Sequence, residues 1–113
     1  MTLFLQITDA ALAEAAAAAD AYEGKRPGHG AKFRIELDHV LSMILEHPDL
    51  YQKIGRIVAA EVHVDVAACR RAFLRRFPFV VVYRVTTREL TVLAVMPSMR
   101  DPLALVARMT GTT

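Results

Sequence analysis

The chain has 113 residues, 54% of them hydrophobic, with 14 Lys and Arg against 12 Asp and Glu and one cysteine. That length suits one domain, residues 1–113, and the apolar content supports a packed core, which excludes a disordered chain. No apolar run reaches the roughly 20 residues that span a bilayer; Met1 to Gln6 lacks the basic stretch of a signal peptide, and lone Cys69 rules out an internal disulfide, so the expected compartment is the cytoplasm with no membrane partner.

In chain order, Leu3 to Ile7 is apolar but for Gln6 and reads as a short strand. Thr8 or Asp9 can accept a hydrogen bond from an unpaired amide and so cap a helix running from Ala10 to Glu23. The alanines of that helix have the highest helix propensity and present a small face to a neighbour. Lys25-Arg26-Pro27-Gly28-His29-Gly30 breaks the chain. A second helix, Gly30 to Glu46, places Phe33, Leu37, Val40, Leu41, Ile44 and Leu45 on one face, with Arg34, Glu36, Asp38 and Glu46 mostly opposite. His47-Pro48 stops it, because the residue before proline avoids helical angles. A short loop between two helices predicts an antiparallel hairpin.

Asp49 to Ala60 reads either as a short helical turn or as an extended crossing, whereas Glu61 to Val66 alternates like a half-buried strand. Arg70 to Arg100 then reads RRAFLRRFPFVVVYRVTTRELTVLAVMPSMR. An arginine-bearing strand, a turn at Phe77-Pro78, an apolar strand to Val85, a turn at Thr86 to Glu89 and a last strand, Leu90 to Val95, form an antiparallel meander. Leu103 to Met109 is expected to make a short helical tail. The fold class is therefore α+β, in the order β-α-α-β-β-β: an N-terminal strand, then a helical hairpin packed on a small, mainly antiparallel sheet.

Charge divides along the chain. Residues 1–60 hold six Lys and Arg against eight acids; residues 61–113 hold eight arginines, no lysine and four acids. Arginine makes bidentate contacts to phosphate and carboxylate. An anionic partner accounts for the bias, and so do charged strands guarding a sheet edge. If the arginine strand alternates throughout, Arg71 and Arg75 share one face and Arg70 and Arg76 the other, and Arg84 and Arg100 can converge with one set. The alternative is pairing with Glu61, Asp65, Glu89 or Asp101.

Other chemistry finds little in the pattern. His29, His39, His47 and His63 lack metal-ligand spacing, so no metal and no cofactor is expected. Cys69 has no histidine beside it in sequence, Ser98 lacks a nucleophile-elbow pattern, and Gly28-His29-Gly30 is too short for a phosphate loop.

The order of strand, alanine-rich helix, PGHG loop, amphipathic helix and HPDL, followed by RRFPFVVVYRV, LTVLAV and RDP, resembles the RelE/ParE superfamily of bacterial type II toxins, the plasmid-stabilisation proteins, over about Leu3 to Arg108. The resemblance implies a toxin whose partner is a cognate antitoxin with an acidic or amphipathic segment; the assembly, a homodimer or a heterotetramer with antitoxin, stays open at this point. It implies one of two targets. RelE-like members cleave mRNA on the ribosome; ParE-like members inhibit DNA gyrase. Pro97 and Met99 stand where the family often has His and Arg before RDP, and Leu105 stands near its usual tryptophan. The lysines Lys25, Lys32 and Lys53 lie far from this tail. Missing acid–base residues favour the ParE-like branch: growth arrest by protein–protein interference with gyrase. The partner-binding residues are then Arg70, Arg71, Arg75, Arg76, Tyr83, Arg84 and Arg100. In the nuclease alternative Arg71, Arg75 and Arg84 hold the scissile phosphate, and Tyr83 or His63 moves protons. A third reading is an inactive toxin fold kept for antitoxin binding.

Overall fold

The structure is a computed structural model and describes residues 3–53 and 69–98. Its elements are β1 (Phe4–Ile7), α1 (Asp9–Lys25), α2 (His29–Glu46), β2 (Gln52–Lys53), β3 (Cys69–Phe73), β4 (Phe79–Val85) and β5 (Glu89–Pro97). The strand expected at Glu61 to Val66 and the tail from Leu103 to Met109 lie outside the described residues, as do His63 and Arg100. The α+β arrangement and the order of the main elements agree with the sequence reading. The short β2, in the stretch left open there, is an addition.

Five strands make one sheet in the order β1-β5-β4-β3-β2. β3, β4 and β5 form the antiparallel meander, and β2 pairs antiparallel with β3. β1 lies parallel to β5, with Phe4 beside Glu89 and Ile7 beside Val92. A parallel neighbour needs a long crossover, and the helical hairpin is part of the chain that makes it. A register shift between Val82 and Tyr83 pairs Val82 with Ala94 and Tyr83 with Val92.

Each helix end has a traceable cause. Thr8 caps α1: its Oγ1 accepts from the Ala11 amide at 3.1 Å, while its own amide donates to Val92 O at 3.1 Å. That one residue ties the helix start to the sheet. Gly28 is the N-cap of α2; its φ of 87° suits glycine, which has no side chain to cap the helix. The cap comes instead from α1, where the Glu23 carboxylate accepts from the Gly28 amide at 3.0 Å and the Gly30 amide at 3.1 Å. A negative group there also faces the positive end of the helix dipole.

The hairpin covers one face of the sheet. Ala11, Ala18 and Ala19 of α1 and Phe33, Leu37 and Ile44 of α2 meet Ala72, Leu74, Val81, Tyr83, Leu90, Val92 and Val95 in one buried cluster. The alanines admit the close approach that their size predicts. At 25 cal/mol per Å² of apolar surface, burial of side chains such as Phe33 and Ile44 contributes about 2–3 kcal/mol each. Val80, Val82, Ala94 and Met96, on the opposite face by alternation, are buried too. Beyond the end of β1, the Val95 amide on the β5 edge is taken up by Glu14 Oε1 of α1 at 3.0 Å.

Candidate interaction surface

The arginines of the 70–76 run do not share one strand face, because β3 ends at Phe73. Within β3 alternation holds: Arg70 sits opposite Tyr83 and Arg71 opposite Val82, on alternate faces. After Phe73 the chain leaves the sheet, and Arg75 and Arg76 lie in the β3–β4 loop. The expected pairing of Arg71 with Arg75 on one face is therefore replaced by three separate placements.

Arg70 is used inside the fold. Its Nη1 donates to Tyr51 O at 2.7 Å and Asp49 O at 3.2 Å, and its Nη2 lies 3.7 Å from Asp49 Oδ1. The guanidinium thus holds the segment after α2 against β3.

Arg71 lies on the face away from the hairpin. Its Nη2 donates to Gln52 Oε1 at 3.4 Å, its Cζ stands 5.5 Å from the centre of the Phe73 ring, and its Nε is buried without a hydrogen-bond partner among the described residues. Arg84 is half-buried on the same face, between Cys69 on β3 and Thr91 on β5. Cys69 itself is a buried thiol.

The loop carrying Arg75 and Arg76 is fixed from two sides. Glu36 Oε2 on α2 accepts both their backbone amides, at 2.6 and 2.9 Å. Phe77 turns inward, its ring centre 4.8 Å from Tyr22 and 5.3 Å from Phe33, in edge-on contacts that favour aromatic pairs. With amides and Phe77 held inward, the residues Arg75 and Arg76 are exposed.

Tyr83 is the largest fully buried side chain. Its hydroxyl donates to Pro48 O at 2.7 Å, and its ring meets Tyr51 edge-on at 6.3 Å. Burial pushes its pKa up to about 12, outweighing the lowering influence of Arg70. A phenol so placed neither meets a partner's surface nor exchanges protons with a substrate near neutrality. This corrects the roles foreseen for it as a contact or a proton donor; its role in the fold is to close the core beneath the chain that leaves α2.

Two adjoining hollows run along the outer side of α2. One, of about 540 Å³, is lined by His29, Lys32, Ile35, Glu36, His39, Arg76 and Phe77. The other, of about 280 Å³, is lined by Glu36, His39, Val40, Met43, Tyr51, Phe73 and Arg75. Of these, Ile35 is not among the sequence candidates, and Lys32 and His39 enter there only for proton transfer and metal binding. Ile35 carried a signal: it is an apolar residue on the polar side of an amphipathic helix. Among the described residues no three His, Cys, Asp or Glu gather as a metal site, and no helix is long and apolar enough to cross a membrane.

Comparison with known proteins agrees with this architecture. Residues 5–102 match the family model for the ParE toxin of the type II toxin–antitoxin system parDE. Among solved structures, the chain is similar to one from the chromosomal ParDE toxin–antitoxin system of P. aeruginosa, with a TM-score of 0.67 and 20% identity over 85% of this chain and 96% of that one. That likeness shows a shared fold. No curated protein matches the chain.

Proposed function

We propose, from the premise that this chain belongs to the ParE toxin family of type II toxin–antitoxin systems, that it arrests growth by binding DNA gyrase. As a type II toxin it has an antitoxin partner. The proposed action is non-covalent and takes place in the cytoplasm, through exposed and half-buried arginines that contact an anionic or carboxylate-rich partner surface. The proposed contacts are Arg71, Arg75, Arg76 and Arg84, with Arg100 outside the described residues.

The observation that carries this reading is the state of Tyr83. Phosphodiester cleavage through a 2′-hydroxyl needs a group to take a proton and another to deliver one to the leaving oxygen. Tyr83 is the tyrosine nearest the arginines in sequence, and it is buried with its hydroxyl hydrogen-bonded to Pro48 O inside the fold. The arginine placements favour binding over proton transfer.

Inducible expression with matched assays of DNA and RNA tests the proposal. Loss of viability with double-strand DNA breaks, and inhibition of purified gyrase by the purified chain, is the expected result. Codon-phased mRNA cuts with intact DNA would establish ribosome-dependent cleavage instead. Unaffected growth would leave an inactive fold that binds antitoxin.

A further inference from the structure

We infer that the outer edge of β1 is a self-association surface, which pairs antiparallel with β1 of a second copy of this chain about a two-fold axis. The inference goes beyond the gyrase reading and does not depend on it.

The backbone defines the surface first. In the strand order β1-β5-β4-β3-β2, β1 and β2 are the two edges of the sheet. The Phe4 amide donates to Arg88 O at 2.8 Å and the Thr8 amide to Val92 O at 3.1 Å. Main-chain groups alternate in direction along a strand. Phe4, Gln6 and Thr8 therefore bond toward β5, while the N–H and C=O groups of Leu3, Leu5 and Ile7 point to the open side.

The rest of the rim is guarded. β2 is two residues long and carries Lys53. Past the end of β1, Thr8 Oγ1 donates to Leu93 O at 3.4 Å and Glu14 Oε1 accepts from the Val95 amide at 3.0 Å, so side chains seal that part of the β5 edge. Charges, prolines and bulges are the usual devices that keep an edge from pairing. Leu3 to Thr8 contains no charged residue and no proline, and its register with β5 is unbroken.

Side-chain chemistry selects the occupant. Phe4 is 69% and Leu5 39% exposed. The strand has no cation to receive an acidic segment; an uncharged apolar strand complements it, and a second copy supplies one. Pairing centred on Leu5 sets that residue beside its own counterpart, and Leu3 of one copy beside Ile7 of the other. Each of these residues turns both backbone groups outward, which gives about six hydrogen bonds and one continuous sheet through both copies. Phe4 then lies across from Gln6 on the face away from the hairpin. A contact about 20 Å long and one sheet wide falls short of the about 1,200 Å² of a standard stable complex, so the dimer is weak, in the micromolar range.

Sedimentation velocity of the full chain alone, from about 1 to about 200 µM, tests the pairing. Expected are a monomer at the low end and a dimer at the high end. Leu5→Lys sets like charges directly opposite and should weaken the dimer at least about tenfold. Ile35→Ser, which removes an apolar residue 69% exposed on α2, should change it at most about twofold. Amide exchange followed by NMR on the wild type needs no variant. The Leu5 and Ile7 amides should slow as concentration rises, while the Gln6 amide, turned toward β5 in both states, should not. A chain that stays monomeric throughout would overturn the inference. So would a dimer with unchanged exchange at Leu5 and Ile7, or a Leu5→Lys variant that melts and associates as the wild type does. Protection of those two amides only when antitoxin is added would give the edge to that partner and overturn self-pairing.

Discussion

The backbone amide of Arg75 donates a 2.6 Å hydrogen bond to the Glu36 carboxylate, across 39 positions of sequence. The same oxygen takes the Arg76 amide. The bond makes the position of two cationic side chains a property of α2 and not of the strand that precedes them. Glu36→Ala should therefore release the β3–β4 loop. With two hydrogen bonds to a carboxylate lost in a partly solvated setting, unfolding free energy should fall by about 1–2 kcal/mol in urea denaturation. Hydrogen exchange should rise first at the Arg75 and Arg76 amides. Unchanged protection of those amides would show that Phe77 alone anchors the loop.

Arg70 supports a different expectation from its neighbours. Its guanidinium reaches two carbonyls and the Asp49 carboxylate within the chain. Arg70→Ala should destabilise the fold by about 1–3 kcal/mol, since hydrogen bonds to a charged group exceed the neutral kind. Its antitoxin affinity, measured on the folded fraction, should stay within about twofold of wild type. A large affinity loss without a change in thermal melting would place Arg70 on the partner surface after all.

The buried phenol of Tyr83 makes stability depend on alkaline pH. Its pKa is pushed up to about 12 by burial, against an ordinary value of 10.0 when the chain unfolds. The folded state therefore keeps a proton that the unfolded state releases as pH rises above 10. Stability from this group is complete below pH 10 and declines as pH climbs toward about 12. Urea midpoints measured from pH 9 to 11.5 should fall more steeply for the wild type than for Tyr83→Phe. At pH 7 that variant should be about 1–2 kcal/mol less stable, because Pro48 O loses its donor. Parallel pH profiles for the two proteins would count against burial of the phenol.

What could be read from sequence follows the range of the interactions. The two helices rest on spacing within 18 residues, on Thr8 as a cap and on Pro48 as a stop, all local features, and these appear as expected. The meander is legible for the same reason: Phe77 to Val95 alternates apolar runs with short turns. The parallel pairing of β1 with β5 joins residues 85 positions apart, and no pattern near Phe4 announces it. The arginines show the same limit in the candidate site. Alternation places Arg70 and Arg71 correctly on opposite faces, but the strand ends at Phe73, and Glu36 and Phe77 decide where Arg75 and Arg76 go. Tyr83 in an apolar run was consistent with core or surface, and only the Pro48 carbonyl above its hydroxyl distinguishes them. Ile35 stands on the polar side of its helix, and nothing local in sequence says that a hollow lies beside it.

Two glycines of the hairpin separate close packing from helix propensity. A Cβ added at Gly30 would stand 2.6 Å from the Ala19 carbonyl oxygen, a backbone atom of the facing helix, and 3.0 Å from Glu23 Cβ. A Cβ added at Gly24 would meet nothing within 4 Å. Gly30→Ala must push α1 and α2 apart, disturbing both the Ala18–Ala19 contact surface and the Glu23 cap, and should cost about 1–3 kcal/mol. Gly24→Ala, inside α1 near its C-terminus, should instead stabilise by up to about 1 kcal/mol, because alanine loses less backbone entropy in a helix. Thermal unfolding of the two variants should move the melting temperature in opposite directions. A neutral Gly30→Ala would mean that the helices are set further apart than the Ala19 contact requires. The wider gap would also weaken the reach of Glu23 to the start of α2, which amide exchange at Gly28 and Gly30 would reveal directly.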